Sequence, residues 1–217
     1  MHEKIIPNPT LNNKKLMKIF LHTGCGSENK SNIEGFNNDN WKEIRFDINE
    51  SVKPDIVGSL TDMKLVETAS VDAVYSSHNI EHIYPHQVST ALREFYRVLK
   101  EDGMTFIICP DIQRVCEVVA QDKLVEPLYD SPTGPISPID ILYGHRRSIA
   151  QGNEYMAHKG GFTYSVLNGV LYGAGFKSRI GGKKGNWNLW IVAFKQKKSH
   201  EEMKKIVLPF MPNAKFT

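Results

Sequence analysis

Leu21-His22-Thr23-Gly24-Cys25-Gly26 directly follows an apolar run that begins at Met17, so two glycines stand where a β-strand turns. The first glycine permits a tight bend, and the second lets the backbone approach a ligand that a Cβ atom would push away. The next strand-like run, residues 41–47, ends in Asp47. Its carboxylate can accept hydrogen bonds from both hydroxyls of a ribose. The pattern therefore predicts a nucleotide-type site at the ends of two neighbouring strands.

The length and composition fit one domain over residues 1–217. A chain of 217 residues with 41% hydrophobic and 24% charged residues can bury a core of its own and falls in the range of globular proteins. The net charge of +3 is small, and the lysine pairs at 183–184, 197–198 and 204–205 are separate from one another. A nucleic-acid partner is therefore not expected.

The cysteines and the N-terminus indicate a reduced compartment. Cys25, Cys109 and Cys116 form no C-x-x-C pair and leave an odd count, which argues against a disulfide framework or a structural zinc site. The first residues lack a sustained apolar segment, and no run approaches the roughly 20 apolar residues of a membrane span. We expect a cytoplasmic protein with no membrane span.

Alternating strand and turn patterns predict a parallel sheet. The strand-like runs are residues 17–22, 41–47, 55–58, 71–76 and 104–109. A helix is predicted between Pro85 and Gly103, because the apolar residues Val88, Leu92, Phe95 and Leu99 share one helical stripe. Residues 111–122 predict a second amphipathic helix.

The sequence pattern changes over residues 124–163, where prolines are frequent and the periodic spacing of apolar residues weakens. We interpret this segment as a lid-like insertion with a helix over residues 138–150. A helix over 163–173 and two strands, 176–180 and 187–194, follow, with residues 181–185 as a hairpin-like connection. Residues 1–16 are interpreted as an N-terminal arm. In the tail, residues 195–217, the apolar segment 206–211 is expected to dock on the body or on a second subunit of a homodimer.

Several sequence segments, taken in chain order, together resemble one protein family. They are the glycine turn, Asp47, Asp55-Ile-Val-Gly-Ser-Leu60, residues 70–82, residues 93–111, and Ala174-Gly-Phe176. Together they resemble the class I S-adenosylmethionine-dependent methyltransferases, in the small single-domain branch called type 11. The resemblance implies an α/β fold with a Rossmann-like, doubly wound seven-stranded sheet. This sheet is mostly parallel with an antiparallel last strand, and it has helices on both faces.

The resemblance also implies the cofactor, S-adenosyl-L-methionine with S-adenosyl-L-homocysteine as product, and a small-molecule or saccharide acceptor. The cofactor-binding residues it implies are His22, Thr23, Gly24, Cys25, Gly26, Asp47, Ile48, Ser59, Leu60 and Ser77. Two features depart from the family pattern. Ser59 stands where most relatives carry Asp, and only fourteen residues separate Gly26 from Trp41. The second departure leaves little room for the usual first helix, so a more open cofactor edge or a loop in its place is expected.

Two other functions remain open on the residues alone. An NAD-dependent sugar oxidoreductase would need a third glycine for its pyrophosphate, but Asn29 occupies that position. A non-catalytic S-adenosylmethionine-binding module would keep the same pocket without turning over an acceptor.

His78-Asn-Ile-Glu-His82 also fits the H-x-x-E-H pattern of zinc proteases. That pattern requires a continuous helix to bring both imidazoles to one metal, whereas these residues leave a strand directly and Pro85 follows. No metal is expected on this ground.

Methyl transfer depends mainly on alignment of the acceptor with the methyl group, and a base is needed only for a hydroxyl or a protonated amine. The candidate catalytic groups are His78, His82, His145 and His158. The candidate acceptor-binding residues are His78, Tyr143, His145, Arg146 and His158. Each has an alternative structural role, such as capping the insertion's own helices.

Overall fold

The computed structural model describes residues 17–213 together with 215 and 216, so the predicted arm over residues 1–16 lies outside them. The strands are β1 Lys18–Thr23, β2 Trp41–Asp47, β3 Ile56–Val57, β4 Val71–Ser77, β5 Leu99–Pro110, β6 Tyr129–Ser131, β7 Gly134–Ile136, β8 Ser178–Lys184, β9 Asn188–Phe194 and β10 Lys215–Phe216. The α-helices are α1 Val88–Val98, α2 Ile112–Val119, α3 Pro138–Tyr143, α4 Arg146–Ala150, α5 Tyr164–Gly173 and α6 His200–Val207.

The main sheet has the order β10-β8-β9-β5-β4-β1-β2-β3. Strands β1 to β5 pair in parallel, and β9 is antiparallel to both β5 and β8. The two-residue β10 extends this arrangement at one edge. The seven-stranded, doubly wound sheet with an antiparallel last strand is thus confirmed. Because the chain proceeds from β1 toward β3 on one side and from β4 toward β5 on the other, the carboxyl end of β1 is the switch point where ligands bind.

Helices α1 and α5 cover one face of the sheet. Leu92 and Phe95 of α1 and Leu167 and Leu171 of α5 are fully buried in one apolar cluster with strand residues such as Ile107. These helices form because their apolar residues recur at helical spacing, so one stripe meets the sheet. The predicted stripe after Pro85 is confirmed, although α1 ends at Val98 and Leu99 already begins β5.

The opposite face is covered by a loop and the C-terminal segment. No α-helix lies between β1 and β2 in this fully described stretch, which contains only a 3₁₀ turn at Lys30–Asn32. Phe36 from this loop is fully buried, with its ring centroid 4.3 Å from that of Phe20 and 4.8 Å from that of Phe210. The short connection thus replaces the usual first helix with a loop, and the tail docks on the body.

Two predicted elements need correction. The helix expected over residues 138–150 is split into α3 and α4 at Gly144, whose φ of 98° is not helical. The hairpin-like connection expected over residues 181–185 begins too early, because β8 continues to Lys184 and pairs there with Asn188. Gly181 therefore lies inside β8. A Cβ atom at this position would collide with the Trp190 carbonyl oxygen and with the Tyr164 side chain. Close approach, rather than a turn, requires this glycine.

Among the described residues, no helix has both the length and the apolar character that crossing a membrane demands.

Candidate functional site

A cavity of about 400 Å³ opens at the carboxyl ends of β1, β2 and β4. A cavity of this volume fits an ordinary small ligand. The sheet side is lined by Gly24, Gly26, Phe46, Asp47, Ile48, Asn49, Val52, Gly58, Ser59, Leu60, Asn79, His82, Ile83, Tyr84 and Gln87. The insertion closes the other side with Asn153, Tyr155, Met156 and Lys159.

The glycine turn after β1 is fixed to the neighbouring strand. Gly24 and Gly26 have φ values of 62° and 52°, in the left-handed region that favours glycine. The Gly24 amide donates a 2.8 Å hydrogen bond to the Phe46 carbonyl of β2. A Cβ atom on Gly24 would collide with the Asn79 side chain. The turn therefore requires glycine for both its backbone conformation and its packing.

Asp47 at the end of β2 is buried but lines the cavity. Its Oδ2 accepts a 2.8 Å hydrogen bond from the Gly26 amide, and its Oδ1 accepts one of 2.8 Å from the Asn49 amide. A carboxylate has about four lone-pair sites. Each oxygen of Asp47 can therefore accept a further hydrogen bond from a ligand while the backbone holds the group in place.

Three other predicted residues line the same cavity. Ile48 presents an exposed apolar side chain, and Leu60 is almost fully buried. The Ser59 hydroxyl lies 2.9 Å from the Thr61 hydroxyl and accepts a hydrogen bond from the Thr61 amide. Two apolar side chains and a hydroxyl group in one cavity lining suit a flat heteroaromatic ring.

The other predicted cofactor residues do not line the cavity. His22 is buried, with Nδ1 2.7 Å from Glu43 Oε1, and burial lowers its pKa although Glu43 opposes the shift. The Thr23 hydroxyl donates to the Tyr75 carbonyl. Cys25 is buried, which raises its thiol pKa to about 11. Ser77 closes β4 without reaching the cavity wall. The side chains of His22, Thr23 and Cys25 are thus buried within the body of the protein.

Most of the predicted acceptor residues lie within the insertion and away from the cavity. Arg146 donates to Asp140 through both Nε and Nη2, at 2.7 and 3.1 Å, and so fixes α4 to α3. His145 Nδ1 lies 2.7 Å from the Ser148 hydroxyl, and Tyr143 is exposed. These contacts match the structural alternative, in which the residues hold the helices of the insertion together.

Of the four candidate histidines, only His82 lines the cavity. His78 has a positive φ of 49° and a half-exposed side chain, with Nδ1 3.6 Å from Glu81 Oε1. His158 Nδ1 lies 2.7 Å from the Ile141 carbonyl oxygen, and burial lowers the pKa of this histidine. The rings of His158 and His82 contact each other at a centroid distance of 4.7 Å. The insertion and the loop after β4 thus meet through two imidazoles.

The sequence reasoning missed the residues by which the insertion reaches the cavity. Tyr155, Met156 and Lys159 lie there because the 157–160 segment docks on the loop after β4. The amides of Lys159 and Gly160 donate to the Glu81 carbonyl at 2.9 and 3.0 Å. No local pattern in the sequence signals this pairing.

Residues 21–107 match the model of a methyltransferase domain family, type 11. The matched span contains the glycine turn, Asp47 and the strands that form the sheet side of the cavity. Over residues 21–107 the sequence is therefore that of a class I S-adenosylmethionine-dependent methyltransferase domain. S-adenosylmethionine is accordingly the cofactor of this methyltransferase.

Solved structures with the same fold cover most of the methyltransferase. A protein from Pyrococcus horikoshii OT3 is 15% identical with a TM-score of 0.59, over 85% of this chain and 84% of that chain. A Methanosarcina mazei S-adenosylmethionine-dependent methyltransferase is 15% identical with a TM-score of 0.55, over 89% and 100%. The Burkholderia thailandensis 1,6-didemethyltoxoflavin-N1-methyltransferase, solved with 1,6-didemethyltoxoflavin and S-adenosylhomocysteine, is 16% identical with a TM-score of 0.52, over 84% and 72%. At these identities the likeness shows the fold. No curated protein gives a significant match.

Proposed function

We propose that this methyltransferase transfers the methyl group of S-adenosylmethionine to a small-molecule or glycan-type acceptor. One observation carries the proposal. A single cavity is bounded on one side by the glycine turn and Asp47, and on the other by Tyr155, Met156 and Lys159 of the insertion. The first side suits the cofactor, and the second leaves room for an acceptor beside it.

We also infer that residues 1–217 form one domain.

The cofactor contacts follow from the geometry of the sheet side. The Asp47 carboxylate would accept hydrogen bonds from the ribose hydroxyls with its remaining lone pairs. Backbone at Gly24 and Gly26 would face the methionine part, since both glycines line the cavity. Ile48 and Leu60 would pack against the adenine ring, with Ser59 near its exocyclic amine.

The cofactor, when bound, would supply a methyl group on a positively charged sulfur. The neutral thioether that remains after transfer is a good leaving group. The protein then has to align the acceptor with the methyl carbon and exclude water. The insertion side offers groups for such alignment: the Lys159 ammonium lies 5.1 Å from the centre of the Tyr84 ring, and both residues line the cavity. A cation beside an aromatic ring favours an acceptor with oxygen-bearing or anionic groups.

The structure weighs against the oxidoreductase alternative. A dinucleotide pyrophosphate binds at the N-terminus of the helix that follows the first glycine turn. In this chain the described residues between β1 and β2 form a loop with one 3₁₀ turn at Lys30–Asn32. No helix N-terminus therefore lies where a pyrophosphate would bind.

Calorimetric titration of the full chain with S-adenosylhomocysteine and, separately, NADH tests the cofactor assignment. We expect saturable binding of S-adenosylhomocysteine and none of NADH, and the reverse result would overturn the proposal. A second assay follows transfer of a radiolabelled methyl group to pools of saccharides and small metabolites. Transfer to a member of these pools supports the enzymatic proposal, whereas cofactor binding without transfer to any acceptor favours the non-catalytic binding module.

A further inference from the structure

Glu81 is a buried carboxylate without the hydrogen bonds that such a group needs. It is 1% exposed, and within the described residues neither Oε1 nor Oε2 has a hydrogen-bond partner. The nearest cation donor, His78 Nδ1, lies 3.6 Å from Oε1 on a half-exposed side chain. Burying a carboxylate costs free energy unless a positive group compensates its charge. The position of Glu81 therefore calls for a positive partner.

Two imidazoles next to Glu81 are oriented to offer lone pairs. His82 Nδ1 lies 3.1 Å from the Ala157 carbonyl oxygen, and His158 Nδ1 lies 2.7 Å from the Ile141 carbonyl oxygen. Because a carbonyl oxygen only accepts, each Nδ1 carries the proton and each Nε2 carries the lone pair. Metal-binding histidines are held in their tautomer by this kind of backbone hydrogen bond.

The three side chains are close enough to share one ion. One ligand atom from each of Glu81, His82 and His158 lies within 4.8 Å of the others. Ligand atoms around a tetrahedral zinc ion lie about 3.4 Å apart, given metal–ligand distances of about 2.0 to 2.2 Å. Small side-chain rotations would therefore close the site around an ion.

We propose that Glu81, His82 and His158 form a binding site for a divalent transition-metal ion, with zinc as the best fit. Two imidazole nitrogens and one carboxylate are the donors that such ions prefer. This replaces the sequence expectation of no metal. The H-x-x-E-H pattern pairs His78 with His82 along one helix, whereas the fold supplies His158 from the insertion instead.

Three protein ligands leave at least one coordination position open. His82 lines the cavity, and so does Lys159, the residue that follows His158. The ion therefore lies at the edge of the cavity, on the side of the insertion. Glu81 and His82 belong to the loop after β4, while His158 belongs to the insertion, so the ion ties the two together. It adds to the hydrogen bonds from the Lys159 and Gly160 amides to the Glu81 carbonyl.

The test is a titration of the chelator-treated full chain with Zn²⁺ by calorimetry and with Co²⁺ by visible absorption. We expect one ion per chain, d–d bands typical of four- or five-coordinate Co²⁺, and a higher Tm with the metal than without it. The His158→Ala and Glu81→Gln variants should each bind at least tenfold more weakly, because each loses a direct ligand. Glu81→Gln keeps the side-chain shape, so it remains informative if His158→Ala folds poorly.

His145→Ala is the matched control, because His145 is a half-buried histidine of the same insertion whose Nδ1 contacts Ser148. It should bind Zn²⁺ and Co²⁺ like the wild type. S-adenosylhomocysteine binding, measured on the same samples, shows that each variant is folded and is read independently of the metal. Absence of a stoichiometric ion in the wild type, or unchanged Co²⁺ spectra in both ligand variants, would overturn the proposal.

Discussion

Single residues at the end of β2 explain how the site is held in shape before a ligand arrives. Asp47 accepts hydrogen bonds from the Gly26 and Asn49 amides, so the turn that approaches the ligand also orients the carboxylate. Gly24 in turn packs against Asn79 from the loop after β4. The ends of three strands are thus linked through a few backbone and side-chain contacts, which lowers the entropy cost of binding.

The Asp47→Asn variant should weaken binding of S-adenosylhomocysteine by about tenfold to a hundredfold, since a hydrogen bond to a charged group contributes about 1.5 to 3 kcal/mol. The amide keeps the shape of the side chain but places a donor where a ribose hydroxyl must donate. Calorimetric titration measures the effect. Asp102→Asn, at an exposed position of β5, is the control and should bind like the wild type. Equal affinity of the two variants would remove Asp47 from the site.

At the scale of elements, the insertion is held together by its own short helices. The carboxylate of Asp140 accepts hydrogen bonds from Arg146 and from the Ser137 amide, so it caps α3 and anchors α4. Gly144 between the two helices has a positive φ and pairs with Ala157 in an isolated β-bridge. The junction of the two helices therefore sets the position of the segment that reaches the cavity.

Gly144→Ala should destabilise the fold more than Gly152→Ala does. Both glycines have a positive φ, of 98° and 91°, so both variants incur a backbone strain of about 1 to 3 kcal/mol. Only at Gly144 would the new Cβ atom collide with the Met156 carbonyl oxygen, whereas nothing lies within 4 Å at Gly152. Urea unfolding followed by circular dichroism compares them. Equal losses would show that the α3–α4 junction is not tightly packed.

The stabilisation from Asp140 should depend on pH. Burial raises the pKa of the Asp140 carboxyl. The hydrogen bonds from Arg146 and Ser137 together lower this pKa by more than burial raises it, so the pKa in the folded state lies below 3.8. A lowered pKa in the folded state stabilises the fold above pH 3.8 and ceases to do so as the pH falls through the folded-state pKa. Asp140→Asn should therefore have a lower Tm than the wild type at neutral pH, and the difference should shrink in acid. A difference that persists unchanged in acid would argue against this linkage.

At the scale of the whole molecule, the two faces of the sheet are covered in different ways. Helices α1 and α5 cover one face through regular helical packing. The other face lacks the usual first helix, and Phe36 from the loop packs there together with α6 and Phe210 from the tail. Phe210 contacts the rings of Phe36, Trp41 and Phe106, with centroid distances of 4.8 to 5.9 Å. The tail therefore takes over part of the packing that a helix would provide.

Phe210→Ala should lower the free energy of unfolding by about 2 kcal/mol, because it removes a half-buried aromatic side chain from that cluster. Leu208→Ala in the same segment is the control, since Leu208 is 44% exposed and should change stability far less. Urea titration measures both. A loss at Phe210 no larger than at Leu208 would show that the tail contributes little to the second face.

The sequence by itself determined the elements whose signals are local. The strand ending at Asp47, the glycine turn and the stripe of α1 were all predicted, because backbone freedom and side-chain periodicity act over a few residues. The same local logic assigned Gly181 to a turn, and only the ladder with β9 and the contact with Trp190 place it inside a strand. Tertiary structure alone brought Lys159 to the cavity and His158 to Glu81. These contacts join residues far apart in the chain, and their proximity depends on how the insertion folds back on the sheet, which no short-range pattern records.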